Sequence, residues 1–130
     1  MKKKYVLQSI KLIGLISLFL FSLIACKKEK NKTIPTVTIV SITDITSSSA
    51  KITTKVTGEG GGTVSGTGIC LGHSINPDLS NNVSNVGAGL GEFISIPTHL
   101  DSNTTYNVRA FATNEVGTAY SNNMTFTTLH

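Results

Sequence analysis

A chain of 130 residues is about one domain's worth of sequence. Its 11 Lys and Arg outnumber its 7 Asp and Glu, but Lys2, Lys3, Lys4 and Lys11 all stand at the extreme N-terminus, so the basic balance is not a property of the body. From Thr33 onward Lys51, Lys55 and Arg109 face Asp44, Glu59, Asp78, Glu92, Asp101 and Glu115, three bases against six acids, which argues against a nucleic-acid partner.

The first element is a basic head followed by an apolar run, residues 12–25, softened only by Gly14, Ser17 and Ser22. A spanning helix needs about 20 apolar residues, so this run is short for one. Basic head, apolar middle and small-residue end form the order of a secretory signal, which predicts a signal segment over residues 1–25, with an uncleaved anchor helix as the alternative. The run closes on Leu23-Ile24-Ala25-Cys26. These four residues resemble the lipobox of bacterial lipoproteins. That resemblance implies cleavage between Ala25 and Cys26, a diacylglycerol on the Cys26 thiol, and attachment to a bacterial envelope membrane, in particular the outer membrane, facing the periplasm or the surface. A chance cysteine after an ordinary signal is the competing reading. Two or three acyl chains anchor stably where one does not. Lysines and other polar residues follow, and residues 26–34 are expected to form a tether. Its four lysines either remain solvated or touch anionic headgroups.

The body, residues 35–130, is rich in Thr, Ser, Val, Ile, Gly and Asn, and its runs carry a two-residue period. Residues 37–42 predict a first strand after Pro35. Ala50, Ile52 and Val56 alternate with Lys51, Thr53 and Lys55 and predict a second. "GEGGG", residues 58–62, reads as a hairpin turn. A third strand spans residues 63–71, where Ile69, Cys70 and Leu71 place apolar side chains on both parities, so its inward face stays open. Residues 72–82 carry loop chemistry around Asn76-Pro77. Short strands follow at residues 83–86 and 92–96. In the latter Phe93 and Ile94 conflict on facing, so a bend or cover on both sides is expected. Tyr106, Val108, Ala110 and Ala112 then share one face against Asn107, Arg109 and Thr113. Residues 114–117 form a turn, and Tyr120, Met124 and Phe126 lie on a last strand. Seven strands in this length predict a single all-β, two-layer antiparallel sandwich.

From Leu100 to Gly117 the residues "LDSNTTYNVRAFATNEVG" resemble the end of a fibronectin type III domain, with a Leu, a turn and then Tyr-x-Val-x-Ala. "ITSSSAKI", "GTGICLG" and "NPDLS" extend the resemblance to fibronectin-type modules of bacterial exported proteins, over residues 35–128. It implies an immunoglobulin-like sandwich in which Tyr106 forms a tyrosine corner above Leu100. One departure is the absence of tryptophan, with Ile52 at the position where animal modules usually carry it.

Chemistry is sparse. Cys70-x-x-His73 is half of a zinc pattern without a second pair, and zinc sites want four ligands. As a nucleophile pair the two would point to opposite faces of extended chain. His73 and Asp78 share one loop without a further partner. "GEGGG" and "GAGLGE" open no helix, and hairpin glycines explain them better than a phosphate cradle. With Cys26 lipidated, Cys70 is a lone thiol, expected as a small buried hydrophobe. No catalytic residue, metal or cofactor is assigned. The expectation is a membrane-tethered, non-enzymatic module binding an envelope protein or glycan. A structural lipoprotein within a larger envelope complex is the alternative, and a small hydrolase or metal protein using residues 72–82 a remote one.

Overall fold

The computed structural model describes residues 31–130. The expected signal segment and the junction at Ala25 and Cys26 lie outside the described residues. Eight strands form: β1 (Thr36–Thr43), β2 (Lys51–Gly58), β3 (Gly66–Gly72), β4 (Asn82–Gly87), β5 (Gly91–Ser95), β6 (Thr105–Thr113), β7 (Thr118–Tyr120) and β8 (Met124–Thr127). They make two antiparallel sheets, one in the order β1-β2-β5 and the other β4-β3-β6-β7, with β8 also paired to β6. This is the expected immunoglobulin-like sandwich. Its final strand is split in two: Ser121 leaves the ladder to donate its N–H to Ala110 O and to accept from Ala110 N through its hydroxyl, both at 2.9 Å.

Side-chain period decides what each strand buries. β1 holds Val37 and Ile39 on odd positions and Ile42 on an even one. A register shift between Ile39 and Ser41 reconciles them, leaving Val40 outward and 50% exposed while Ile42 pairs with Ile52. One extra residue in a bulge swaps the inward parity. β2 buries Ile52, Thr54 and Val56, as its alternation requires. β3 buries every residue from Thr67 to Leu71. Ile69 and Leu71 face the core, whereas Cys70 is covered from outside, where residues 73–81 fold back over the sheet. There Asn76 N donates to Asn123 Oδ1 at 2.9 Å and Leu79 N to Tyr120 Oη at 3.3 Å. The Arg109 guanidinium sits 4.1 Å from the Tyr120 ring centroid.

Two expectations change. "GEGGG" is not a hairpin turn, because β2 and β3 belong to different sheets and the segment carries the chain across the sandwich. Gly60 and Gly61 take positive φ in that crossing, which glycine adopts without strain. β5 neither bends nor gains a second cover. Phe93 turns inward against the core and Ile94 stays 51% exposed, since β5 is an edge strand of the smaller sheet.

The core runs in two connected clusters. One joins Ala50, Ile52, Ile69, Leu71, Tyr106, Val108 and Phe126. The other joins Val37, Val56, Val64, Ala110 and Ala112, with Ile39 packed against both. Ile52 has no exposed surface.

Candidate functional site

Strand direction sorts the connections into two poles. At the pole where β4 and β6 begin, β4 and the 97–101 connection enclose a cleft of about 360 Å³. Its shape follows from a wedge between β4 and β5. At the lower end the Phe93 ring lies against Gly87, where a Cβ would come 2.5 Å from the ring Cε1. A Cβ there would force the Phe93 ring to shift, so glycine lets the layers close as they do. At the upper end Pro97, Thr98, His99, Leu100 and Asp101 stand across from Asn82, Val83 and Ser84, and the gap stays open.

Ile69, Leu71, Leu100 and Tyr106 give the cleft its apolar surface, and His73, His99, Ser84 and Asp101 its polar one. Tyr106 is held from both sides, its ring centroid 4.9 Å from that of His73 and 5.7 Å from that of Phe126. Its hydroxyl accepts from Asp101 N at 2.9 Å, which fixes the connection that walls the cleft. His99 takes φ 59°, a left-handed turn of the chain, and its Nδ1 lies 3.1 Å from Thr98 Oγ1. Removing the Tyr106 hydroxyl strands a partly buried amide. Tyr106→Phe is therefore expected to cost about 1–2 kcal/mol in denaturant unfolding and to speed hydrogen exchange at Asp101. Unchanged unfolding and exchange would show that the hydroxyl does not brace the wall.

The opposite pole holds the start of the described chain. Thr33 N donates to Gly60 O at 2.8 Å, and Thr33 O accepts from Asn114 Nδ2 at 2.7 Å. The same Asn114 amide donates to Glu59 O at 2.9 Å, while its Oδ1 accepts from Val116 N at 2.9 Å and from Gly117 N at 3.2 Å. Asn114 is 5% exposed, so one buried side chain ties three segments together. Lys32 Nζ donates to Glu115 Oε1 at 2.9 Å, and Thr63 N to Glu115 Oε2 at 3.1 Å. The Lys32 ammonium first, then the amides of Glu115 and Thr63, pull the Glu115 carboxyl down from 4.5 to about 2. A depressed acid stabilises the form that holds these contacts above its unfolded value and loses that contribution as pH falls toward the folded one. Protection of Thr33 and Thr63 against hydrogen exchange, relative to the intrinsic rate at each pH, is thus expected to fall on acidification from about 4.5 to about 2, and Glu115→Gln to abolish that dependence. Protection that stays constant over this range in the parent chain would refute the clasp.

The remaining sequence candidates separate. Tyr106, Leu100 and His73 meet at the cleft. Cys70 lies on the other face of β3, where burial pushes its thiol up to about 11, against the opposing pull of Arg109. A thiol so held is a poor nucleophile at neutral pH. Asp78 belongs to the covering loop. Hydrogen bonds from the Ser80 hydroxyl and amide lower its pKa below the ordinary carboxylate value. Among the described residues no three His, Cys, Asp or Glu side chains gather as metal ligands. Sequence reasoning missed His99 and Ser84. Neither sits in a motif, and only the wedge between β4 and the 97–101 connection brings them together.

No family model matches the chain, and no curated protein matches it. Solved structures do. The fourth fibronectin type III domain of a human protein aligns at 20% identity and TM-score 0.57, covering 80% of this chain and 87% of that one. The sixth fibronectin type III domain of the human fibronectin type III domain containing protein 3 aligns at 18% and 0.53, covering 79% and 91%. The sensor domain of the anti-sigma factor RsgI4 of Pseudobacteroides cellulosolvens aligns at 20% and 0.51, covering 76% and 98%. At such identities the likeness is one of fold: residues 31–130 form a fibronectin type III-like sandwich.

Proposed function

We propose that this chain is a bacterial envelope lipoprotein, anchored through Cys26, that presents a non-catalytic fibronectin type III-like module for binding a partner. The observation that carries the reading is the placement of Thr33. It is fastened at the pole opposite the cleft, only a short stretch after the Leu23-Ile24-Ala25-Cys26 junction. Residues 27–31 then reach at most roughly 17 Å when extended. An anchored module held so closely at its lower pole turns its cleft away from the bilayer, where a partner has access. The apolar and polar surfaces of that cleft suit recognition.

The anchor is tested by the mass of the mature protein. Diacylglyceryl-modified chain beginning at Cys26, lost in Cys26→Ser, is the expected result. An unmodified chain that keeps its N-terminal segment would overturn it. Binding is tested by cross-linking in intact envelopes through a photoreactive group at Ser84. A discrete adduct is expected, and its absence alongside adducts from the lower pole would move the interaction surface there.

A further inference from the structure

The free side of β4 is a second feature of the cleft. Ala110 O accepts from Ser121 N and Ala110 N donates to Ser121 Oγ, so both of its backbone groups point away from β3. Alternation along an antiparallel ladder then directs Arg109 and Phe111 toward β3, and directs Ile69 and Leu71 of β3 toward their partners Ser84 and Asn82 on β4. Between those two, Val83 sends its N–H and C=O outward from the sheet. β4 is the edge of that sheet.

We infer that the cleft is a docking site for an extended peptide segment that adds as a strand to β4, pairing its backbone with Val83. The proposal rests on the reading of the domain as a binding module and specifies its partner. Strand addition satisfies the unpaired amide and carbonyl of an edge, while pockets beside it select side chains. Register dictates which ones. The added residue opposite Val83 shares its outward face, and the residues on either side of it turn inward, along the rows of Ile69–Ser84 and Leu71–Asn82. Those rows open into the cleft. Its apolar surface takes aliphatic or aromatic side chains at these two positions, and 360 Å³ has room for them.

Charge narrows the class further. The cleft lining contains no Lys or Arg, and its acid is Asp101, in a body of three bases and six acids from Thr33 on. A Lys or Arg next to the inward apolar residues is therefore favoured over a Glu. The occupant is an apolar and basic extended peptide.

The test uses the whole chain in detergent micelles, with amide spectra recorded during titration by blocked hexapeptides. The peptides alternate Val, Leu or Phe with Thr and carry either Lys or Glu beside the apolar positions. Expected are shifts clustered at Val83, Ser84, His73 and His99 with the Lys peptides, at least tenfold weaker binding of the Glu peptides, and loss of binding on N-methylating the alternate amides. Val83→Pro removes the outward N–H without breaking the ladder to β3, as edge strands allow. It is expected to abolish binding while the dispersion of the spectrum shows the fold intact. No shifts at millimolar Lys peptide, equal binding of the N-methylated peptide, preference for Glu, or full binding by a folded Val83→Pro chain would each overturn the proposal. The mass of the same sample reports Cys26 acylation separately, so the anchor and the docking site stand or fall independently.

Discussion

Gly68→Ala is expected to unfold the β3–β4 ladder and take the cleft with it. A Cβ at this position collides with the Ser84 carbonyl, and it would stand 3.0 Å from the Phe111 ring. The first obstacle is backbone in the neighbouring strand, so no side-chain rotation relieves it. β4 would have to move away from β3, at the register shift between Thr67 and Gly68 that marks the close approach. Forced repacking of this kind costs about 3 kcal/mol, toward the upper end of the usual range for overpacking. Thermal unfolding of Gly68→Ala beside Gly66→Ala provides the comparison, because a Cβ at Gly66 meets nothing within 4 Å. Equal midpoints for the two variants would mean that the β3–β4 approach is looser than these contacts require.

Ile52→Ala is expected to be of similar size for the opposite reason. Ile52 has no exposed surface and belongs to the cluster of Ala50, Ile69, Leu71, Tyr106, Val108 and Phe126. Both sheets contribute to that cluster, and Ile52 also pairs with Ile42 and Ser95 on its two sides. Removing three carbons here leaves a cavity between layers that backbone pairing holds apart. The expected loss is about 3–4 kcal/mol in denaturant unfolding, against about 1 kcal/mol for Ile52→Val. No disulfide is present among the described residues, where Cys70 is a free thiol, so packing alone offsets the entropy of ordering. A loss below 1 kcal/mol for Ile52→Ala would show that the sheets collapse onto the gap.

These two positions differ in how far they were legible in advance. Ile52 announces itself, because Ala50, Ile52 and Val56 alternate with polar neighbours and the structure buries each of them. Gly68 does not. "GTGICLG" reads as a strand with apolar residues on both parities, and nothing in it says that Cys70 is covered by a loop while Gly68 lies under Ser84 and Phe111. The same limit applies to Asn114. The turn at residues 114–117 was readable, but not the long-range bonds from its amide to Thr33 and Glu59. Lys32 and Thr33 carry the composition of a solvated tether. Their attachment depends on partners 83 and 27 residues away, which local pattern does not encode.

The sequence by itself determined the class of the fold and the inward faces of β2 and β6, because a two-residue period and turn chemistry are local properties. It also singled out Tyr106 and Leu100, through the resemblance of residues 100–117 to the end of a fibronectin type III domain. The tertiary structure decided what depends on distant segments meeting. It carried the glycine run between sheets, set the inward parity of β1 through a bulge at Val40, covered Cys70 with residues 73–81, and fastened Thr33 at one pole. At the other it left β4 and the 97–101 connection apart, because Phe93 closes over Gly87 below while no side chain fills the wedge above. That unequal spacing, a consequence of packing between layers, is what makes a cleft out of His73, His99, Ser84 and Tyr106.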